Sequence, residues 1–423
     1  MRFDTLDQWL DWQTTLHPKE IELGLDRVIA VWQRLQPEGL HSKVVTIAGT
    51  NGKGSSVAML ETIYRQAGFS VGAYTSPHLV HYNERIRLNG VAVSDQQLCH
   101  AFEAIDQARG RVSLTYFEFA TLAALIIYAA EKPDLVILEV GLGGRLDAVN
   151  IIDTDVALIT TIDLDHTDLL GDDREAIGRE KAGIIRPYRP VVLGDREMPH
   201  SVSEQAEQLQ AEVYLSGREF DFDLHKDGWQ WSGPDSVKQL LPVPDLSGSK
   251  QLVNASAVVM VCQLLQDTFP VSWELIANGL QQVRLPGRLQ WVPCKPCLLL
   301  DVAHNRQSLE TLCEALDRLD CQGHIHALFG MLRDKDVAAV ADILGSRITS
   351  WYLLDLPGER GRSAKQLAIA LRQAGVNKPI NCFHAFPQAY QACRDEVHSQ
   401  DLILVFGSFL IVGEAMGYLD LLT

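Results

Sequence analysis

Residues 44–56, VVTIAGTNGKGSS, constrain the fold more than any other stretch of the chain. Residues 44–48 are apolar and β-branched up to Gly49, and the following run SSVAMLETIYRQAG repeats apolar residues at helical spacing until Gly68. Strand, tight glycine turn and helix therefore follow in succession. Such a turn exposes backbone N–H groups at the positive end of a helix, where phosphate binds readily. The pattern is shorter than the common phosphate loop, because only Thr50 and Asn51 separate Gly49 from Gly52-Lys53-Gly54-Ser55. Lys53 is placed to reach the terminal phosphates of a nucleotide, and the hydroxyl of Ser55 or Ser56 to meet Mg²⁺.

The alternation continues along the chain. SVGAYTS at 70–76 reads as a second strand, and Asn89-Gly90 between alternating runs marks a hairpin. Helices are expected at 94–109 and 117–130, and strands at 134–140, 155–161 and 190–193. Apolar strands alternating with helices imply a mostly parallel sheet covered on both faces. Residues 212–249 lose this rhythm and read as short antiparallel strands or an excursion, before helical patterns resume at 250–267 and 272–282. A Pro- and Gly-rich stretch, VRLPGRLQWVPCKP at 283–296, precedes a new series with strands near 298–302, 325–329, 350–354 and 402–406. The expected fold class is α/β, with an N-terminal P-loop ATPase-like domain at 1–286 and a smaller, Rossmann-like C-terminal domain at 287–423.

Composition sets the outer limits. The 423 residues are 47% hydrophobic and 22% charged, which fits a soluble globular chain of two or three domains at roughly 100–200 residues each. No apolar run is long enough for a membrane span and the polar, acidic start does not read as a signal peptide, so a cytoplasmic protein is expected. Acidic residues outnumber basic ones 54 to 37, for a net charge of −17. Such a surface repels nucleic acid and anionic membranes, and neither is an expected partner. An anionic metabolite must then be held by local basic groups, metal or helix N-termini. The eight cysteines, at 99, 262, 294, 297, 313, 321, 382 and 393, fit reduced thiols better than a disulfide framework. Cys294-Lys-Pro-Cys297 has no second such pair and runs into an apolar strand, which favours a structural role.

The spacing G-T-N-G-K-G-S at 49–55 resembles the Mur ligase superfamily, in its folylpolyglutamate synthase and dihydrofolate synthase branch. Further blocks resemble that family in order: TSPHLVHYNERIRLNG (75–90), TYFEFATLAAL (115–125), LEVGLGGRLDAVN (138–150), TTIDLDHTDLLGDDREAIGREKAGIIR (160–186), LPGRLQ (285–290) and DVAHN (301–305). Residues 195–249 match no block. Taken alone, GLGGRL suggests a dinucleotide fingerprint, but Leu146 stands where Gly or Ala is required.

Several residues carry a physical reading of their own. Glu139 ends an apolar strand just before Gly141, where a carboxylate in a sheet-end crevice can hold a hard cation. Ser76 also ends a strand, and His166 follows one. Lys181, in GREKAGIIR, reads in isolation as a solvated helix lysine partnered by a residue such as Glu180. The resemblance implies more. It makes Ser76, Glu139 and His166 the Mg²⁺ ligands, and Lys181 a carbamylated lysine that turns a cation into an anion. ATP contacts carried over from it are Gly49, Thr50, Asn51, Gly52, Lys53, Gly54, Ser55, Asn254, Arg288 and Asp301. A pterin and benzoate pocket is implied from Tyr116, Phe117 and Glu118 together with Leu146, Asp147 and Ala148. His304 and Ser408 are implied to place an incoming glutamate, and Lys53, Lys181, His166 and His304 form the implied catalytic set. Lys250 departs from the pattern, standing where the family often has histidine.

The implied activity is ATP-driven amide ligation through an acyl phosphate. L-Glutamate is joined to dihydropteroate, giving dihydrofolate, and to the γ-carboxylate of reduced folates. Mg²⁺ is the expected cofactor and ATP the co-substrate, with a monovalent cation as an optional addition; the protein is expected to act as a monomer on small molecules. The alternatives are folylpolyglutamate synthesis alone, another Mur-type amino-acid ligase, a small-molecule kinase, or a non-catalytic ATP-binding switch. A peptidoglycan Mur ligase carries a separate domain ahead of its loop, for which residues 1–48 are short. A second α/β domain containing His304 favours a third substrate over a kinase.

Overall fold

The structure is a computed structural model that describes residues 2–36, 38–246, 248, 250–319 and 323–421. The chain divides into two compact units. The first holds residues 1–78, 82–245 and 251–283, and the second holds 79–81, 246–250 and 284–423.

The first unit is built on an eight-stranded sheet. Its spatial order is Val91–Ala92, Ile86–Leu88, Val71–Tyr74, Leu135–Glu139, Lys43–Ala48, Val156–Ile159, Pro190–Leu193 and Glu212–Leu215. The six strands from Val71–Tyr74 to Glu212–Leu215 run parallel, and the first two form the antiparallel hairpin expected at Asn89-Gly90. Both faces are covered. Val44, Ala48, Val136, Leu138, Ala157 and Ile159 pack into a core with the helices Leu6–Leu16, Asp95–Arg109 and Tyr116–Glu131, while the alternate residues Val45, Ile47, Leu135, Ile137 and Leu158 are buried as well. Continuous burial explains the unbroken apolar strands. Helix Lys53–Gln66 packs against Gln251–Leu264 and Trp273–Gln282.

The strand order decides where a site can form. Lys43–Ala48 lies between Leu135–Glu139 and Val156–Ile159, while the next strand in sequence, Val71–Tyr74, lies beyond Leu135–Glu139. The connection that leaves Lys43–Ala48 therefore runs to one side and the one that leaves Leu135–Glu139 runs to the other, to Val156–Ile159, and a crevice opens at the carboxyl ends. Residues 49–52, Ser76, Glu139 and residues 160–166 all follow or end strands on that edge.

Residues 221–241 form a separate three-stranded antiparallel sheet, with Trp229 and Trp231 buried. The second unit carries a six-stranded sheet in the order Gln290–Val292, Cys297–Asp301, Leu402–Phe406, Ile325–Phe329, Ile348–Leu354 and Ile380–Phe383. All pairs are parallel except the first. Two edge strands, Gln290–Val292 and Ile380–Phe383, escape sequence reading, and Glu212–Leu215, at the start of the stretch expected as short antiparallel strands or an excursion, instead pairs parallel at the edge of the main sheet. Each is short and partly exposed, so none shows the apolar run of a central strand. Cys294 Sγ donates to the Pro296 carbonyl at 3.0 Å, and seven cysteines are free thiols, whereas Cys321 lies outside the described residues. Among the described residues no helix is long and apolar enough to cross a membrane.

Candidate active site

The loop after Lys43–Ala48 enters helix Lys53–Gln66 through Gly52, whose φ of 88° is in the left-handed region. A Cβ there would overlap the Asn254 side-chain oxygen, so Asn254 lies directly against the loop. The first intrahelical bond runs from the Ser56 N–H to Gly52 O at 2.9 Å, which leaves the amides before it to face outward. Lys53 Nζ donates back to Gly49 O at 2.9 Å and Thr50 O at 3.2 Å. Ser56 Oγ is engaged with Gly52 O at 3.0 Å. Of the two candidate hydroxyls, Ser55 is therefore the one not committed to its own helix.

Glu139 is buried at 5% exposure. Its Oε2 accepts the Ser76 N–H at 3.1 Å, and its carboxylate lies beside Gly54. The structure thus brings Ser76, Glu139 and the phosphate loop together. His166 stands on the loop after Val156–Ile159, with a φ of 50°. This left-handed conformation is uncommon outside glycine and marks a held position. Its Nε2 lies 4.0 Å from Asp165 Oδ1.

Lys181 ends helix Arg174–Lys181 and is 4% exposed, which removes the reading of a solvated lysine. Glu180, the partner suggested for it, is instead paired with Arg145 at 2.7 Å. Burial, followed by the charge of Lys53, presses the Lys181 ammonium down to about 7. Asp147 is also buried, and burial raises its carboxyl to about 6 even though the backbone N–H groups of Leu142 and Val149 donate to it at 2.8 and 3.0 Å.

Tyr116 and Phe117 begin helix Tyr116–Glu131 and are half-buried. The Tyr116 ring meets Tyr82 edge-on at 5.7 Å and lies 5.6 Å from the Arg85 guanidinium, while Phe117 packs on Tyr74 at 6.1 Å. Glu118 is occupied otherwise. It closes a capping box with Thr115, accepting its N–H at 2.7 Å, and pairs with Arg27 at 3.0 Å. Leu146 is half-buried and its carbonyl accepts the Gly24 N–H at 3.2 Å, and Ala148 starts a short 3₁₀ turn that Asp147 caps.

The second unit holds its own set at neighbouring strand ends, where Asp301 pairs in register with Phe406. Asp301 is buried and accepts the N–H groups of Leu289 at 2.8 Å and Ala303 at 2.7 Å; burial raises its carboxyl above the usual range. His304 Nδ1 lies 2.7 Å from the Val302 carbonyl. A carbonyl only accepts, so Nδ1 carries the proton. Ser408 caps helix Phe409–Tyr418 by accepting the Ile411 N–H at 3.3 Å.

Family models match both units: the Mur ligase middle domain over residues 47–262, and the Mur ligase, glutamate ligase domain over 287–409. The dihydrofolate synthase/folylpolyglutamate synthase of Escherichia coli (strain K12) is 41% identical over 415 residues, covering 98% of this chain and 96% of the relative. The chain belongs to the dihydrofolate synthase/folylpolyglutamate synthase branch of the Mur ligases. The solved structure of E. coli FolC in complex with DHPP and ADP superposes with a TM-score of 0.91 at 40% identity, covering 99% of this chain and 98% of that one. A bifunctional folylpolyglutamate synthase/dihydrofolate synthase with Mn, AMPPNP and L-glutamate bound gives 0.89 at 43% identity over the same shares.

Several supporting residues of this Mur ligase were not singled out from sequence. Arg87 pairs with buried Glu61 at 2.8 Å and donates to Thr75 Oγ1 at 2.9 Å, tying the hairpin to the helix of the phosphate loop beside Ser76. Phe409 lies 5.6 Å from the Arg288 guanidinium and 6.2 Å from the His304 ring. Thr160 and Thr161 bond to the phosphate loop itself. Only the threonine pair has a sequence signal, a hydroxyl doublet at the end of a strand.

Proposed function

We propose that this protein is an ATP-dependent acid–amino-acid ligase that joins L-glutamate to dihydropteroate and to the γ-carboxylate of reduced folates. The observation that carries the reading is the convergence of the phosphate loop, Lys53, Ser76 and Glu139 at one carboxyl edge of the sheet. A carboxylate oxygen of the acceptor attacks the γ-phosphorus of ATP, the bond to the β,γ-bridging oxygen breaks, and ADP leaves behind an acyl phosphate. The amine nitrogen of L-glutamate then attacks the acyl carbon. The carbon–oxygen bond to phosphate breaks and the nitrogen loses a proton as the amide forms. No side-chain nucleophile is required, so the protein contributes positioning and charge stabilisation.

Lys53 and the amides of residues 52–55 hold the phosphates. Asn254, Arg288 and Asp301 serve the nucleotide, and His304 and Ser408 serve the glutamate. Tyr116, Phe117, Leu146, Asp147 and Ala148 receive the pterin and benzoate. Glu118 acts by fixing the start of the Tyr116 helix. Ser76, Glu139 and His166 would hold Mg²⁺. One carboxylate, one hydroxyl and one imidazole suit a small hard cation that keeps phosphate oxygens and water in its shell, and the buried Glu139 carboxylate already lies beside Ser76 and Gly54. An ion held there would supply positive charge against the phosphates. Lys181, driven toward its neutral amine by burial, adds to CO₂ with loss of a proton, and the carbamate so formed replaces a buried cation by an anion.

The test is purified protein with ATP, Mg²⁺ and labelled glutamate, offered dihydropteroate, a reduced folate, or both. Incorporation with each acceptor alone and mutual competition when both are present are expected. Incorporation with a reduced folate only reduces the function to folylpolyglutamate synthesis. Phosphate release without amide formation leaves a kinase-like or hydrolytic reading.

A further inference from the structure

The phosphate loop is fastened from outside by the strand beside it. Thr160, buried at the end of Val156–Ile159, donates its hydroxyl to the carbonyl of Asn51 at 2.6 Å, and Thr161 Oγ1 reaches the same oxygen at 3.3 Å. The Thr50 N–H donates to Thr161 O at 2.7 Å. Thr50 Oγ1 donates to Asp163 O at 3.0 Å and accepts the Asp163 N–H at 3.0 Å. The Thr160 hydroxyl occupies the space a Cβ at Gly49 would need, and Gly49 has a φ of 152°. The first glycine of this short loop is therefore required by a neighbouring side chain.

The consequence follows from peptide geometry. In a trans peptide the C=O and N–H point in opposite directions. Two hydroxyls that hold the Asn51 carbonyl toward the strand turn the Gly52 N–H away from it, on the side of the loop where the first amides of helix Lys53–Gln66 lack intrahelical partners. A loop without this fastening can rotate the 51–52 peptide at little cost, because Gly52 tolerates many backbone conformations.

We propose that Thr160 is a positioning residue for nucleotide phosphate: by clamping the Asn51 carbonyl it aims the Gly52 N–H at the phosphate chain of ATP and ADP. Thr161 supports the same clamp from its longer distance. The inference rests on the nucleotide reading above and adds to it a residue that acts through the loop without touching the ligand.

The experiment is calorimetric titration of ADP into the full chain as wild type, Thr160→Val and Thr160→Ser, together with ligand-free melting midpoints and Michaelis constants for ATP and glutamate. Valine keeps the shape of threonine and removes the donor. ADP affinity is expected to fall by about tenfold to a hundredfold in Thr160→Val, the scale of one hydrogen bond to a charged group. The KM for ATP rises, that for glutamate does not, and the midpoint stays within about 3 °C. Thr160→Ser restores ADP affinity to within about threefold. If valine is not tolerated by the fold, Thr160→Ala removes the same donor without placing a methyl there and carries the same expectation. Unchanged ADP affinity on loss of the hydroxyl, or no rescue by serine, overturns the clamp alone. A wild type that binds no ADP overturns the nucleotide reading itself.

Discussion

Lys181 and Lys53 press on each other: Lys181 is 4% exposed, and after burial the charge of Lys53 is the next largest influence pushing its ammonium toward neutrality. A buried ammonium facing the half-buried Lys53 is a costly arrangement, which the charges of Asp165 and Asp147 only partly offset. A carbamate on Lys181 removes the conflict. Activity is accordingly expected to fall in CO₂-depleted buffer and to recover on adding bicarbonate. Lys181→Ala is expected to lose about a hundredfold or more in turnover, with partial rescue by acetate or formate. Crystal density at Lys181 is the direct check. An unmodified amine in an active, nucleotide-bound enzyme removes the hypothesis.

Lys53 itself contributes little to the core, since its ammonium folds back on the carbonyls of Gly49 and Thr50. Lys53→Ala is expected to leave the melting midpoint within about 3 °C of wild type and to lower turnover by about a hundredfold or more at saturating ATP. Near-normal turnover under those conditions contradicts its role at the phosphates.

The sequence carries the centre of each sheet better than its rim. Strands Lys43–Ala48, Leu135–Glu139 and Leu402–Phe406 are buried along all but the exposed Lys43 and, apart from Lys43, Thr46 and Glu139, are apolar, which makes them readable. Glu212–Leu215 and Ile380–Phe383 are partly exposed edge strands that obey no such rule. The same logic applies to the site. The Gly49–Ser55 loop has its own pattern, whereas the Thr160 hydroxyl reaches Asn51 across more than a hundred residues of chain, and a threonine doublet at a strand end does not say which distant carbonyl it holds. Glu118 shows the opposite case. A block match implies a ligand contact there, and the structure adds a capping box in which Glu118 closes on Thr115.

That capping box gives Glu118 a measurable role. It accepts the Thr115 N–H and pairs with Arg27 while 3% exposed. Glu118→Ala removes a cap acceptor and leaves a partly buried guanidinium without one of its carboxylates, an expected cost of about 2–4 kcal/mol in denaturant unfolding. Glu118→Gln retains an acceptor for the cap and is expected to recover part of that loss. Because Tyr116 starts the same helix, the KM for the folate acceptor rises in Glu118→Ala while the KM for ATP is unchanged. A rise in both marks general damage to the unit.

Asp147 ties stability to pH. Burial raises its carboxyl to about 6 from an ordinary value near 3.8, against the opposing pull of the Leu142 and Val149 N–H groups. Between those two values the folded protein binds more protons at this group than the unfolded chain does, so stability falls as pH rises across the interval. The contribution is fully present below about pH 4 and is lost as pH passes through about 6. Asp147→Asn cannot titrate and keeps an acceptor oxygen for the same turn. Melting midpoints of wild type and Asp147→Asn, followed from pH 4 to pH 7.5, are therefore expected to diverge: after the slope common to both is subtracted, wild type loses stability relative to the variant toward pH 6 and runs parallel above it. Parallel curves over the whole range show that Asp147 titrates as an ordinary carboxyl.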